Sequence, residues 1–255
     1  MQNQPPSLVL LGSDNPTTWI VYNRLVQEFG PFPALIEQHV SRRKLFWTRA
    51  RKLGWGAALA QVAFVKLVRP SLARVAKRRI RQICQQEGLE CTEPLSTHIT
   101  HIDSANGDFC ERFLRECNAD VVIVNGTRIL KPDILNATSA PFINTHQGIT
   151  PQYRGAHGAY WALLNNDAEH CGVTVHLVDE GIDTGDIIGQ SKITPQADDN
   201  FTTYPYLQTA AALPILLEAI TNSGPLKTTA TTGPSKVWYH PGLFTYIRGR
   251  LRSIK

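Results

Sequence analysis

A chain of 255 residues with 42% hydrophobic and 8% aromatic side chains can bury a substantial core, which excludes a mainly disordered chain. Its formal net charge of +5 hides a strong asymmetry. Residues 42–81 hold 13 of the 26 Lys and Arg and none of the 21 Asp and Glu, leaving a formal −8 for the rest. One segment makes the chain basic, so any anionic partner is a question about that segment.

The five cysteines (Cys84, Cys91, Cys110, Cys117, Cys171) form no C-x-x-C pair, which argues against a zinc ribbon or a redox motif. An odd, scattered set suits a reducing compartment, where thiols act as small apolar residues. Met1 to Ser7 is polar and leads straight into an apolar run, without the features of a signal peptide. The expected location is the cytoplasm, with a membrane-peripheral variant left open by the basic segment.

In chain order, Ser7–Leu11 predicts a buried strand ending at Gly12, and Asp14 or Asn15 followed by Pro16 predicts a helix start. That helix runs to about Phe29 and stops at Gly30, and Pro33–Ile36 reads as a second strand. A β-α-β opening predicts an α/β fold, Rossmann-like, with a mostly parallel twisted sheet and helices on both faces. A basic helical insert (41–88) follows, read as two helices broken near Pro70. Its uncharged center, Leu53–Val65, is too short to span a bilayer, which needs about 20 apolar residues.

The alternation then resumes. Strands are expected at Thr97–Ile102, Val121–Val124, Pro141–Asn144, Val173–Val178 and Ile187–Ile193. Helices are expected at Asn106–Cys117, Pro132–Asn136, His157–Asn165 and Thr203–Thr221, the last bent at Pro214. Residues 1–223 make one catalytic domain on this reading, and the polar-then-basic tail 224–255 is left without a role.

The chemistry-bearing residues concentrate between Ile143 and Gly185. Asn144-Thr145-His146 closes a strand, and in open α/β sheets ligands bind at the carboxyl ends of strands. Residues two apart on extended chain point the same way, so Asn144 and His146 can face one pocket. An Asn amide can donate to a developing oxyanion and a His can move a proton near neutral pH. Gly148-Ile149-Thr150-Pro151-Gln152-Tyr153-Arg154-Gly155 is a shaped loop whose Arg154 could bind an anion or cap the next helix. From Gly172 a strand runs into the acidic loop Asp179-Glu180-Gly181-Ile182-Asp183-Thr184-Gly185, where glycines let backbone approach a ligand. His176, on the apolar strand, is read equally as a packed core residue or a site residue.

Taken together, N-x-H before P-x-Y-R-G and then G-V-T-x-H-x-V-x-x-x-x-D-x-G resembles the folate-dependent formyltransferase family, well over Val121–Gln190 and loosely over the opening β-α-β unit. The resemblance implies Asn144, His146 and Asp183 as catalytic residues and 10-formyltetrahydrofolate as formyl donor and co-substrate. It implies a folate-binding loop at Asn125, Gly126, Thr127, Arg128 and Ile129, facing a second loop with Val178, Asp179 and Gly181. Substrate contacts are expected from Gly12, Ser13 and Asp14 after the first strand, and from Arg154, His157 and His176. Protonated His146, its pKa raised by Asp183, would stabilise the oxyanion beside Asn144. No metal is expected, because no metal-ligand spacing is evident.

The acceptor follows by elimination. Asp14 would repel a phosphate unless it turns away, which disfavors glycinamide ribonucleotide, and no G-x-G-x-x-G is present. About 30 residues after the last helix are too few for the β-barrel of tRNA-specific members, so tRNA is disfavored as a partner. The expected substrate is a small-molecule amine, an amino sugar or sugar nucleotide. The alternatives are glycinamide ribonucleotide formyltransferase, a 10-formyltetrahydrofolate hydrolase and a non-catalytic folate-binding protein. For residues 42–81 three readings stay open: a helical pair packed on the domain or on a second subunit of a homodimer, a membrane-surface helix carrying Trp47, Trp55 and Phe64, and an anion or nucleic-acid surface.

Overall fold

The computed structural model describes residues 5–222, 225–251 and 254. The opening unit forms β1 (Leu8–Ser13), α1 (Pro16–Phe29) and β2 (Ala34–Glu37). Asn15 rather than Asp14 caps α1, its Oδ1 accepting from the backbone N–H of Thr17 and Thr18 at 2.9 and 3.0 Å. Pro16 occupies the first turn, and Gly30 ends the helix at φ 81°, a conformation that favors glycine.

The insert is α2 (Arg42–Leu53), α3 (Trp55–Ala63), a π-helical turn over Phe64–Val68, and α4 (Arg69–Gln86). The expected break near Pro70 is corrected: the chain turns at Gly54, at φ 87°. Pro70 lies instead in the first turn of α4, which follows the π-helical turn without a gap, so the bonding pattern shifts there and the helical run continues. The inner side of the insert joins the fold. Ala58, Phe64, Ala76 and Ile83 are buried, and Arg79 is clamped by Asp199 at 2.9 and 3.1 Å.

The chain continues through β3 (Ile99–Ile102), α5 (Asp108–Glu116), β4 (Val121–Asn125), α6 (Pro132–Leu135), β5 (Phe142–His146), β6 (Arg154–Gly155) and α7 (Gly158–Leu164). It ends with β7 (Gly172–Leu177), β8 (Ile187–Lys192), α8 (Tyr204–Thr221), β9 (Val237–Trp238) and α9 (Leu243–Leu251). Seven strands form one sheet in the order β3-β2-β1-β4-β5-β7-β8. The first five run parallel, and β7 and β8 are antiparallel additions at one edge. This is the Rossmann-like, mostly parallel sheet that the β-α-β pattern predicts.

Strand alternation fills both faces. Leu8, Leu10, Ile123, Ile143 and Val175 pack with α1, α8 and Ile83 of α4. Val9, Leu11, Val122, Val124 and Phe142 pack with Cys110 and Leu114 of α5 and Ile134 of α6. Each such side chain contributes about 1.5–3 kcal/mol when fully buried. The strand order reverses between β1 and β4, so a crevice opens where the loops after these strands diverge.

The tail is built into the body. β9 pairs with β6, Thr229 bridges Ile187, and Tyr246 of α9 joins an aromatic cluster with Phe64, Tyr160 and Phe201. The domain boundary expected between 223 and 224 falls on residues outside the described ones. No helix among the described residues is long and apolar enough to cross a membrane.

Candidate active site

The crevice is a cavity of about 700 Å³. Its walls are the loops after β1, β4 and β5, the loop between β7 and β8, one face of α4, and the start of α8.

On its wall, the polar end of β5 lies between two different strands. Asn144 sits beside Val124 of β4 and directly opposite His176 of β7, and His146 is opposite Thr174. Asn144 and His146 share the sheet face of Phe142, as period-two alternation requires. Register then explains the first contact: Asn144 Nδ2 lies 3.1 Å from His176 Nε2. His176 Nδ1 faces the Leu177 carbonyl at 2.6 Å. A carbonyl only accepts, so Nδ1 carries the hydrogen and Nε2 is left to accept from Asn144. His176 thus faces the cavity beside Asn144, although it lies on an apolar strand.

Asp183 reaches this pair from the β7–β8 loop. Its Oδ2 accepts from the Gly155 N–H at 2.8 Å and faces His146 Nδ1 at 3.3 Å, while Oδ1 lies 3.5 Å from Asn144 Nδ2 and 3.6 Å from His176 Nε2. Asp183 has φ 50°, an uncommon backbone conformation for a residue with a side chain. The loop is held there from two sides. Arg154 Nη1 donates to the Ile182 carbonyl at 3.1 Å, and Asp179 accepts from the Gly181 N–H at 3.0 Å and the Thr184 hydroxyl at 2.7 Å.

The electrostatics separate the two members of the pair. Burial would raise Asp183, but His146, His176 and the Gly155 N–H outweigh it and bring the carboxyl down to about 2. Burial pushes His146 down, more than Asp183 and the Tyr153 carbonyl push it up. Asp183 thus acts on His146 in the expected direction, and burial opposes it more strongly. His146 Nε2 is 2.8 Å from the Tyr153 carbonyl, which only accepts, so Nε2 carries a hydrogen, and Nδ1 faces the Asp183 carboxylate. Gly148 allows this packing, because a side chain there would run into the Tyr153 carbonyl and His146 Nε2.

The other predicted residues divide. Asn125, Gly126, Thr127, Arg128, Ile129, Val178, Asp179, Gly181 and His157 all line the cavity. Some have their side chains occupied by the framework. Asn125 donates to Thr145 Oγ1 at 2.5 Å and accepts from Thr18, and Arg128 donates to the carbonyls of Gln38 and Asp103, with its Nε 3.1 Å from Glu37. Gly126 has φ 69° and lies close to Ser13 and Asn15. His157, with φ 60°, precedes α7 and packs on Phe201 and His240 at ring distances of 4.5 and 4.7 Å.

Four predicted substrate contacts lie elsewhere. Gly12, Ser13, Asp14 and Arg154 are absent from the cavity lining. Gly12 is packed under Thr18, the Ser13 hydroxyl donates to the Gly126 carbonyl at 2.8 Å, and Asp14 accepts from the Trp19 indole at 3.0 Å. The loop after β1 therefore spends its polar groups bracing the loop after β4. Arg154 neither reaches the cavity nor caps a helix; it grips the backbone beside Asp183.

The sequence reading misses the wall from α4, made of Arg69, Ala73 and Ile80, and the one from Phe201, Thr202, Pro205 and Tyr206. The spacing of 69, 73 and 80 puts all three on one helix face. That spacing is legible, but it lies in a segment read as an insert apart from the site.

Comparison with known proteins gives the arrangement its relatives. The model of the formyl transferase family matches residues 70–219, more than half of the chain. A methionyl-tRNA formyltransferase from Agathobacter rectalis is 35% identical over 121 residues, which is 47% of this chain and 36% of that protein. The chain thus covers little more than a third of that relative's length. A sugar N-formyltransferase from a Shewanella species superposes with a TM-score of 0.55 over 97% of this chain and 87% of its own, at 16% identity. HypX from Aquifex aeolicus, solved in complex with tetrahydrofolic acid, gives a TM-score of 0.51 over 89% of this chain and 28% of its own, at 15% identity. At these identities the two structures speak for the fold.

Proposed function

The chain belongs to the formyl transferase family, and from that membership we propose that it is an N-formyltransferase moving a formyl group from 10-formyltetrahydrofolate to a primary amine. The observation that carries the reading is the Asn144–His146–Asp183 cluster on the wall of a cavity formed where the parallel sheet opens. A cavity of about 700 Å³ is of the size that encloses small-molecule ligands. Its lining beside the cluster combines apolar side chains (Val124, Leu130, Val178, Ile182) with loop backbone, which suits a flat heterocycle with polar edges. Residues 125–129 and 178–183 would hold the folate, which supplies the formyl carbon.

The side chains then have separable tasks. Asn144 Nδ2 has one hydrogen on His176 and a second held only weakly, at 3.5 Å from Asp183. That second hydrogen would donate to the formyl oxygen as negative charge builds there. The His146–Asp183 pair would take the proton lost by the attacking nitrogen. Nδ1 and Oδ2 are 3.3 Å apart, so a proton received there would be held in a hydrogen-bonded ion pair. Burial makes His146 a reluctant cation, and the carboxylate beside it makes the proton's arrival tolerable.

For the acceptor, an amino sugar or sugar nucleotide is the reading we favor. Arg69 places a guanidinium on the cavity lining, where it would meet the phosphates of a nucleotide-linked substrate. The test is incubation with 10-formyltetrahydrofolate and a panel of amino sugars, sugar nucleotides, glycinamide ribonucleotide and methionyl-tRNA, read by mass spectrometry. A formylated sugar amine is expected. Formyl-methionyl-tRNA or the formylated ribonucleotide as sole product would overturn the acceptor. Cofactor consumed with no formylated product would make the protein a hydrolase, and no consumption at all would sink the reaction.

A further inference from the structure

Much of the chain's positive charge and most of the exposed large apolar side chains among the described residues fall in two segments. Residues 42–81 and 224–255 together hold 19 of the 26 Lys and Arg and none of the 21 Asp and Glu, leaving 7 against 21 elsewhere. These two segments are far apart in sequence, yet they pack against each other. Gly242 lies against Ala60, Gln61 donates to the His240 carbonyl at 2.7 Å, and Lys52 sits 5.2 Å over the Tyr239 ring.

The apolar side chains follow the same division. Of the thirteen large hydrophobic residues that stand exposed among the described ones, ten lie in these two segments. Five of them follow helix period on α9 and α3. On α9, Phe244, Ile247 and Leu251 are 76%, 47% and 84% exposed at spacing i, i+3, i+7, with Tyr246 and Gly249 buried behind them and Arg248 and Arg250 exposed beside them. On α3, Trp55 and Leu59 repeat the pattern at 56% and 57%, and Trp55 rings against Trp47 of α2 at 5.2 Å. A soluble surface scatters such residues singly; a stripe of them edged by cations is the form of a helix lying in a lipid interface.

We propose that this composite face, α9 together with α2 and α3, docks on an anionic lipid bilayer, its apolar stripes in the interfacial layer and its Lys and Arg on the headgroups. Two properties select a bilayer over a nucleic acid. Phosphodiester backbones call for cations and stacking rings, and give no place to Leu59, Ile247 and Leu251. A lipid interface uses both features, and the charge of the rest of the chain turns that remainder away from the membrane. The face needs no spanning helix.

The test uses the full chain and vesicles of phosphatidylcholine alone or with phosphatidylserine, in a sedimentation assay at fixed moderate salt. Binding to the mixed vesicles and none to the neutral ones is expected. The variant Phe244→Ser/Ile247→Ser/Leu251→Ser should weaken it by about tenfold or more, since each change removes an apolar side chain from the interface. Its thermal melt checks the fold, and Trp55→Ser/Leu59→Ser on the separate helix α3 should weaken binding in the same direction. No binding to the mixed vesicles, or unchanged binding by both variants, would overturn the proposal. So would a single-stranded oligonucleotide that binds the two apolar variants and the parent equally and displaces the vesicles from the parent.

Discussion

In the cavity, the carboxylate of Asp183 meets His146, His176 and the Gly155 N–H within 3.6 Å, and Asn144 and Asn125 are likewise bonded to neighbors. On α9, after the last core helix, Arg248 and Arg250 stand exposed beside Phe244 and Ile247, with no carboxylate in their segment. The two regions place polar groups for opposite ends. In the first, mutual partners fix the position and protonation of a few atoms, as pre-organised chemistry requires. In the second, exposed cations and apolar side chains stand side by side along a helix, as a surface awaiting something outside the chain requires.

The sharpest way to break that contrast is to remove a partner from the site. Asp183→Asn takes away the charge that makes a proton on His146 tolerable, and His146→Ala removes the proton's destination. Each should lower kcat by about 10²–10⁴-fold, the range of positioned acid–base groups. Asn144→Ala should cost about 10²–10³-fold, as for one oxyanion donor. The α9 triple variant should leave turnover of a soluble amine unchanged. If it falls as far as Asn144→Ala does, the two regions are not independent.

These site residues were legible because their placement follows from strand geometry. Asn144 and His146 are two apart on one strand, and His176 is brought opposite Asn144 by antiparallel register. What escaped is what local pattern leaves undecided. A short polar loop such as Gly12-Ser13-Asp14 can turn toward the crevice or back onto its neighbors, and here the bonds to Gly126 and Trp19 decide it. Arg69, Ala73 and Ile80 were hidden by the charge of their own segment, which hid a cavity wall inside an apparent appendage. Pro70 reads as a breaker unless the break at Gly54 is known. The charge of Asp183 beside His146 is legible in the sequence, and the burial that opposes it is not.

A second buried pair, His157 and His240, is packed on Phe201 with Arg49 and Arg69 nearby. Burial lowers both imidazoles, His240 to about 4. A depressed folded pKa means the unfolded chain binds the extra proton first, so this stability is full above 6.5 and is lost as pH falls toward 4. His240 alone should cost about 2 kcal/mol between pH 7 and pH 5, or a Tm fall of about 4–8 °C. In His240→Phe the acid slope of Tm should be shallower; an unchanged slope would remove His240 from the acid response.

The smallest effect should come from Arg154, the residue that ties the two halves of the site without touching its cavity. Its guanidinium holds the Ile182 carbonyl, the peptide just before Asp183, whose backbone is held at φ 50°. Holding a residue in that region costs on the order of 1 kcal/mol or more, so the loop needs its clamps. Arg154→Met keeps the stem and loses the clamp. Asp183 retains its bond to Gly155, so the carboxylate should wander rather than leave. A fall in kcat of about tenfold with KM for the amine nearly unchanged is expected, since misplacing a base slows the proton step and leaves binding alone. A rise in KM with kcat intact would instead return Arg154 to the substrate-binding role that its position in the P-x-Y-R-G motif first suggests, reached through a movement of the loop.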